Sequence, residues 1–517
     1  MEIRNTEQIM DLLNYIEKTF PVDTWIVNNY HLWPLLRIEI GSYLGQSYLH
    51  KDAENTYKTP TLLTASFKFI KKFFKGYKEI YYSQWKDRQA TDKITPRDIM
   101  YMTDGCGYMK IADIYYERYY DALNTFFKVK RLSALRLDMN HMYVAPRLSP
   151  SIYVQTRLEF HIIKNVIYNI FLKPQVDFSH LPQFSEFLAF CAAENINSLS
   201  FNPSNLKKRL RKLDTIKSYF KPIIEKVQPK LMFITGFNND YGLAVINLCR
   251  EKNIKTFDVQ HGFQDALHPS YGHWNRVPKG GYNVLPDYFW CWSDSEAQTI
   301  NEWSHALNIH KPLAGGNLLL ELLSDPSSVF VKNLDKKFAD ILDNSKTHKK
   351  DKINILFTLQ WDTVDDHNMM SLYNAMKKSG DKYNWWIRLH PVMRHQREMI
   401  RQLFIKNNVG NFELDFSSDL PLYIVLKKTQ LHITCSSAVI IEAAQLGIYS
   451  IMTNPYGEPL FEDYIDKGIV KKAYTGDDII KAIQDLPQYP KIIIDTHNKV
   501  PFEEIKELLY LEQLVKN

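Results

Sequence analysis

Leu431-His-Ile-Thr-Cys-Ser-Ser-Ala-Val-Ile-Ile-Glu-Ala-Ala-Gln-Leu-Gly447 is the stretch from which the fold class is read. It begins as a short apolar run and breaks into two hydroxyls at Ser436 and Ser437. It then continues with helical spacing to Gly447, a residue suited to close a helix. Upstream, Trp385-Trp-Ile-Arg-Leu-His-Pro391 shows the same abrupt end, with His390 kept extended by the proline after it. In an open α/β sheet, strand ends of this kind form the ligand-binding edge. Ser436 and Ser437 stand where a strand hands over to a helix, so hydroxyls and unpaired N–H groups can meet an anion there. Arg388 lies two residues before His390 on the same strand face and either adds charge or serves as a salt-bridge partner. Glu442, in the helix after Ser437, reaches either a ribose or a polar helix interface. The plainer readings, Ser-Ser as a helix cap and His390 bonded to backbone, stay open.

Outward from these segments the pattern is strand, helix, strand. Strands are expected at 353–359, 385–389, 412–416, 431–434 and 449–453, with helices at 366–379, 393–407 and 419–428 between them. A second alternating block lies upstream, with strands at 98–103, 230–235, 255–260 and 288–292 and a helix at 243–252. Strict alternation implies parallel sheets with right-handed crossovers. The expected fold class is therefore α/β, with two Rossmann-like domains facing across a ligand cleft. The expected division is 1–95 as an N-terminal helical extension, 96–320 as the first Rossmann-like domain and 321–495 as the second. Residues 496–517 would form a C-terminal helix returning to the first domain, and the polar stretch 322–351 is expected to hold the linker.

Composition sets limits on function. At 517 residues with 45% hydrophobic and 13% aromatic content, the chain can bury several cores. A net charge of +6 over that length gives no warrant for nucleic acid. The run Asn205-Leu-Lys-Lys-Arg-Leu-Arg-Lys212 is read as a solvated helix face rather than a nucleic-acid patch. Cys106, Cys191, Cys249, Cys291 and Cys435 are scattered without C-x-x-C spacing, which fits a reducing cytoplasm. No signal-peptide pattern or membrane-spanning run is read. In segment 67–82 lysines interleave with aromatics, and two readings stand: a basic helix in peripheral contact with the inner membrane, or an ordinary surface helix.

In the first block, Asn238-Asn-Asp-Tyr-Gly242 follows a buried-type strand. Asp240 is a candidate general base or nucleophile, against the alternative of a helix cap. Gln260-His-Gly-Phe263 ends the next strand, and a glycine beside His261 lets backbone approach a ligand closely. The connection 265–284 carries no evident secondary structure, as functional loops often do. Asp265, His268 and His273 match no metal motif, so no metal is expected.

Taken in order, these segments resemble bacterial glycosyltransferases of the GT-B fold that build capsules and lipopolysaccharide, in particular those using CMP-activated Kdo or sialic-type sugars. In that family a His-Pro motif and a Ser-Ser motif grip the CMP phosphate; His390-Pro391 and Ser436-Ser437 are similar to them. The family's acidic-Gly motif is approximated by Asp240, with Tyr241 inserted before Gly242. Gln260-His-Gly262 and Gly315-Gly-Asn317 are similar to segments of capsule-export Kdo transferases. The resemblance spans about residues 230 to 470. It implies sugar transfer from a CMP donor to a saccharide or glycolipid acceptor, without metal or further cofactor. The catalytic residues would be Asp240 and His261, and the donor-binding ones Arg388, His390, Pro391, Ser436, Ser437 and Glu442. The same motifs also look like those of CDP-glycerol glycerophosphotransferases. A GT-B-like nucleotide-sugar epimerase and a non-catalytic polysaccharide-assembly protein complete the alternatives.

Overall fold

The computed structural model describes residues 6–49, 94–103, 107–111, 114–129, 131–139, 144–149, 151–169, 176–196, 203–324, 329–345, 348–360 and 366–492. The expectations for segment 67–82, Cys106 and the C-terminal helix fall outside the described residues. The chain divides into two compact units between Asn317 and Leu318.

The first unit is built on seven parallel strands: β1 (Ile99–Thr103), β2 (Ala134–Asp138), β3 (Ser151–Tyr153), β4 (Leu231–Thr235), β5 (Lys255–Val259), β6 (Tyr288–Cys291) and β7 (Lys311–Ala314). Their order across the sheet is β7-β6-β5-β4-β1-β2-β3. The chain adds strands on one side of β1, then crosses back to add β4 to β7 on the other. The order therefore reverses between β1 and β4, the point where open α/β sheets bind ligands. The central strands read as continuous apolar runs because both faces are covered; Leu231, Met232, Phe233 and Ile234 are all fully buried.

Of the N-terminal residues expected as a helical extension, 6–49 are mainly helical and belong to this unit's core. Helix α1 (Thr6–Thr19) and helix α2 (Leu32–Leu49) are joined through a two-residue turn, Asn28-Asn29, with both residues at positive φ, a conformation asparagine tolerates. Their buried faces, including Leu13, Ile16, Trp33 and Leu36, share one hydrophobic cluster with Tyr271, Trp274 and Phe289. Arg37 and Glu17, both fully buried, form an ion pair. Arg37 also donates to the carbonyl of Pro269 at 2.9 Å and lies over the Trp274 ring at 4.2 Å. The long connection after β5 lacks regular structure, as expected, and these bonds hold its backbone in place.

Two further helices shape the first unit's site. Helix α3 (Pro203–Val227) carries the basic run, and helix α4 (Asp240–Glu251) follows β4. The basic run is not simply solvated: Arg209 bonds Glu39 and Asp240, and Lys212 bonds Asp240.

The second unit has five parallel strands: β8 (Asn354–Thr358), β9 (Asn384–Arg388), β10 (Leu431–Thr434), β11 (Tyr449–Met452) and β12 (Val470–Lys472), ordered β9-β8-β10-β11-β12. Here the order reverses between β8 and β10. Side chains alternate across the sheet, so the adjacent Trp385 and Trp386 enter separate cores on its two faces. The stretch expected to hold the linker is instead helical over Leu318–Ser324 and Val329–Asn344. Val331, Leu334 and Phe338 recur every three to four residues and pack with Trp386 and Phe416, so the segment is part of the second unit. The strand expected at 412–416 reduces to a single bridge, Trp386 to Glu413, before a short helix at Phe416–Asp419. Among the described residues, no helix is long and apolar enough to cross a membrane.

Candidate functional site

The register of the second sheet places the motif residues on one line. Thr358 of β8 pairs with Arg388 of β9 on one side and with Thr434 of β10 on the other. Two residues beyond each of these lie Gln360, His390 and Ser436, at the carboxyl ends of three adjacent strands and astride the reversal between β8 and β10. The Gln360 side-chain oxygen accepts from the Ser436 N–H at 2.9 Å and from its hydroxyl at 3.2 Å. Gln360 was not singled out from the sequence, although its offset from the strand end matches that of His390 and Ser436. The next position along the line is Asn454, whose side chain accepts from the Tyr456 N–H.

Helix α5 (Val439–Gln445) begins three residues after Ser436, with Ala438 at its cap position. The Ser437 hydroxyl accepts from the Val439 N–H at 3.3 Å, and the Ser437 N–H donates to the Thr434 hydroxyl at 3.3 Å. The serines thus build the turn that precedes the helix rather than capping it. Gly447 sits just past the helix end with φ +73°, as expected of its role. His390 is exposed; its carbonyl accepts from the Met393 N–H and opens the 3₁₀ turn that starts at Pro391, which is likewise exposed. Glu442 is half-buried in the first turn of α5.

Arg388 is placed differently from the expectation. Its guanidinium donates to the carbonyls of Ser417 at 2.5 Å and Leu420 at 2.8 Å, closing the short helix Phe416–Asp419. Carbonyls at a helix end attract a cation, and this local partner anchors the side chain. Beneath the line, His432 is fully buried, its two ring nitrogens bonded to Thr358 and Ser450 at 2.9 Å each. Burial pushes that imidazole down to about 3, so it is neutral and structural.

At the first sheet's reversal, β4 is followed by Gly236, whose φ of +74° lets the chain turn sharply. The His261 ring lies against this glycine: a Cβ there would stand 3.6 Å from Cε1 and 3.7 Å from Nε2. Asn239, not Asp240, caps α4, accepting from the N–H groups of Tyr241 at 2.9 Å and Gly242 at 3.1 Å. Its amide donates back to the Gly236 carbonyl at 2.8 Å, which closes the turn. The His261 carbonyl accepts from the Tyr119 hydroxyl at 2.9 Å. His268 takes the Ser270 N–H on Nδ1 at 3.1 Å; burial, helped by His261 and Arg37, pushes its imidazole down to about 4. Among the described residues, no group of three or more metal-ligating side chains comes together.

Asp240 does not fit the role of general base. Its carboxylate faces α3, bonded to Arg209 at 2.9 Å and Lys212 at 2.8 Å. Burial raises its pKa, but the two cations prevail and hold it below the ordinary carboxylate range. A carboxylate held ionised by two partners is a weak proton acceptor.

No family model and no curated protein matches this sequence. Several solved structures are similar at low identity. The UDP-GlcNAc 2-epimerase from Neisseria meningitidis bound to UDP-GlcNAc is 14% identical, over 81% of this chain and 100% of that one, with a TM-score of 0.45. A glycosyltransferase from Rickettsia africae ESF-5 is 11% identical over 81% of this chain and 97% of that one, at 0.40. The wall teichoic acid polymerase TagF with CDPG is 13% identical over 86% of this chain and 98% of that one, at 0.44.

Proposed function

We propose that the protein is a glycosyltransferase that moves a Kdo-like or sialic-acid-like sugar from a CMP-activated donor to a saccharide or glycolipid hydroxyl. The observation that carries this reading is the line His390, Gln360 and Ser436 at the reversal point of the second sheet. Strands lie about 4.8 Å apart, so the ends of β9 and β10 are about 10 Å apart with β8 between them. A phosphate group fits within the reach of imidazole, hydroxyl and backbone N–H across such a gap. These donors would take the negative charge that develops on the departing CMP as the bond from anomeric carbon to phosphate oxygen breaks. Ser437 keeps the turn before α5 in shape, and Arg388 anchors the end of β9 to the short helix Phe416–Asp419.

At the first sheet's edge, His261 is the group we assign as proton acceptor. It would take the proton of the acceptor hydroxyl, whose oxygen then bonds the anomeric carbon. Asp240 is assigned the supporting role its ion pairs describe, anchoring the start of α4 against α3.

The test is thermal stabilisation by CMP, CDP, UMP, UDP and GDP. A ligand present at a hundred times its dissociation constant adds about 2.7 kcal/mol to stability. Stabilisation by CMP above the uridine and guanosine nucleotides is expected, and preference for UDP or GDP overturns the cytidine assignment. Consumption of donor with no acceptor present would turn the reading toward an epimerase.

A further inference from the structure

Asp258, near the end of β5, is fully buried and accepts hydrogen bonds from two loops at once. One carboxylate oxygen takes the Phe237 N–H at 3.2 Å, and the Gly236 N–H also bonds the carboxylate. The other takes the Tyr271 hydroxyl at 3.0 Å and the Gln264 amide at 3.3 Å. Gly236 and Phe237 belong to the turn under His261, whereas Gln264 and Tyr271 belong to the long connection that follows His261.

We propose that Asp258 is a positioning residue: one buried carboxylate that locks the Gly236–Phe237 turn and the long connection into a single arrangement around His261. This rests on the reading of the first sheet's edge as the acceptor site. The chemistry makes the lock sensitive to protonation. As a carboxylate, Asp258 accepts every one of these bonds; a proton on the outer oxygen turns the Tyr271 hydroxyl from donor to acceptor and opposes the Gln264 amide. Desolvation by burial pushes the carboxyl up to about 7, although the Phe237 N–H, the Tyr271 hydroxyl and the Gly236 N–H pull it down. The titratable groups facing it among the described residues are the Tyr271 phenol of the long connection and the Cys291 thiol of β6. Burial holds both well above their ordinary values, so neither changes charge near neutrality.

The test is backbone hydrogen exchange, corrected for its intrinsic pH dependence, over peptides covering 231–243 and 260–275, from about pH 5.5 to about 8.5. Because the closed carboxyl titrates near 7 and an opened, solvated one near the ordinary carboxylate value, wild-type protein should lose several-fold protection in both peptides as pH rises from about 5.5 through about 7. Asp258→Asn, which mimics the protonated side chain, should show a flat profile. Tyr271→Phe, which removes one donor and keeps the carboxylate, should retain the pH response at lower overall protection and serves if Asp258→Asn fails to fold. The same pH response in Asp258→Asn as in wild type, or none in either wild type or Tyr271→Phe, overturns the proposal. Turnover measured alongside separates the two readings: a pH response in exchange with indifferent turnover supports the lock and removes the catalytic role of this edge.

Discussion

Asp240 is held between Arg209 and Lys212, and the consequence is a stability effect rather than a catalytic one. Asp240→Asn should lower stability by about 1 to 2 kcal/mol, because hydrogen bonds to charged partners weaken and Arg209 stays partly buried. Chemical denaturation measures it, and kcat of the folded variant should stay within several-fold of wild type. A collapse of kcat with stability intact would restore Asp240 as the base. The Gln360 oxygen holds the Ser436 N–H and hydroxyl, the donors assigned to the phosphate, so Gln360→Ala removes a competing acceptor and nucleotide affinity should rise several-fold in a calorimetric titration. At this scale His390 and Ser436 were legible because each ends an apolar run with a polar side chain. Gln360 shares that position but carries no titratable group, which left it unremarked. Arg388 was misplaced for a different reason. Its partners are carbonyls at Ser417 and Leu420, and no local pattern reveals a partner brought in by tertiary packing.

Strands and turns follow simple steric rules here, and the glycines show where those rules bind. Gly315 follows β7, and a Cβ there would enter the Trp290 indole. Gly315→Ala should therefore cost about 1 to 3 kcal/mol through overpacking, read as a lower urea midpoint. Gly236→Ala meets only ordinary van der Waals contacts with His261 and Asn239 but must hold φ at +74°, at a cost of about 1 to 2 kcal/mol. The buried central strands were legible because continuous apolar runs such as Leu-Met-Phe-Ile mark a parallel sheet. Strands without a continuous apolar run escaped notice. Ala134–Asp138 is interrupted by Arg136 and Asp138, whose charges are met in the fold by Asp121, Tyr108 and Arg147. Ser151–Tyr153 spans only three residues, and Lys311–Ala314 contains a proline that an edge strand tolerates.

For the molecule as a whole, the buried histidines set the response to acid. Burial pushes His432 down to about 3, and His268 and His310 to about 4. The folded chain keeps them neutral where the unfolded chain binds protons, so their contribution is intact above about pH 6.5 and declines as pH falls toward 4. Asp258 acts in the opposite sense: its folded pKa is raised, so its contribution is present at low pH and lost as pH rises through about 7. Stability should decline from about pH 6.5 toward 4, by up to about 1.4 kcal/mol per pH unit for each histidine, less the Asp258 term. His432→Gln should flatten that slope by about one histidine's share, measured as Tm against pH; an unchanged slope would show that His432 is not neutral in the fold. The two-unit α/β plan was legible because alternation repeats over long distances. The place of residues 6–49 was not, since their partners at Pro269 and Trp274 lie more than two hundred residues away.

The proposal that the second sheet's line holds a nucleotide phosphate is tested most directly by titrating CMP into wild-type protein and into the His390→Ala, Ser436→Ala double variant, with Met399→Ala as an exposed control. CMP should bind wild type and the control alike and the double variant about a hundredfold more weakly. Equal CMP affinity in all three proteins would contradict the account.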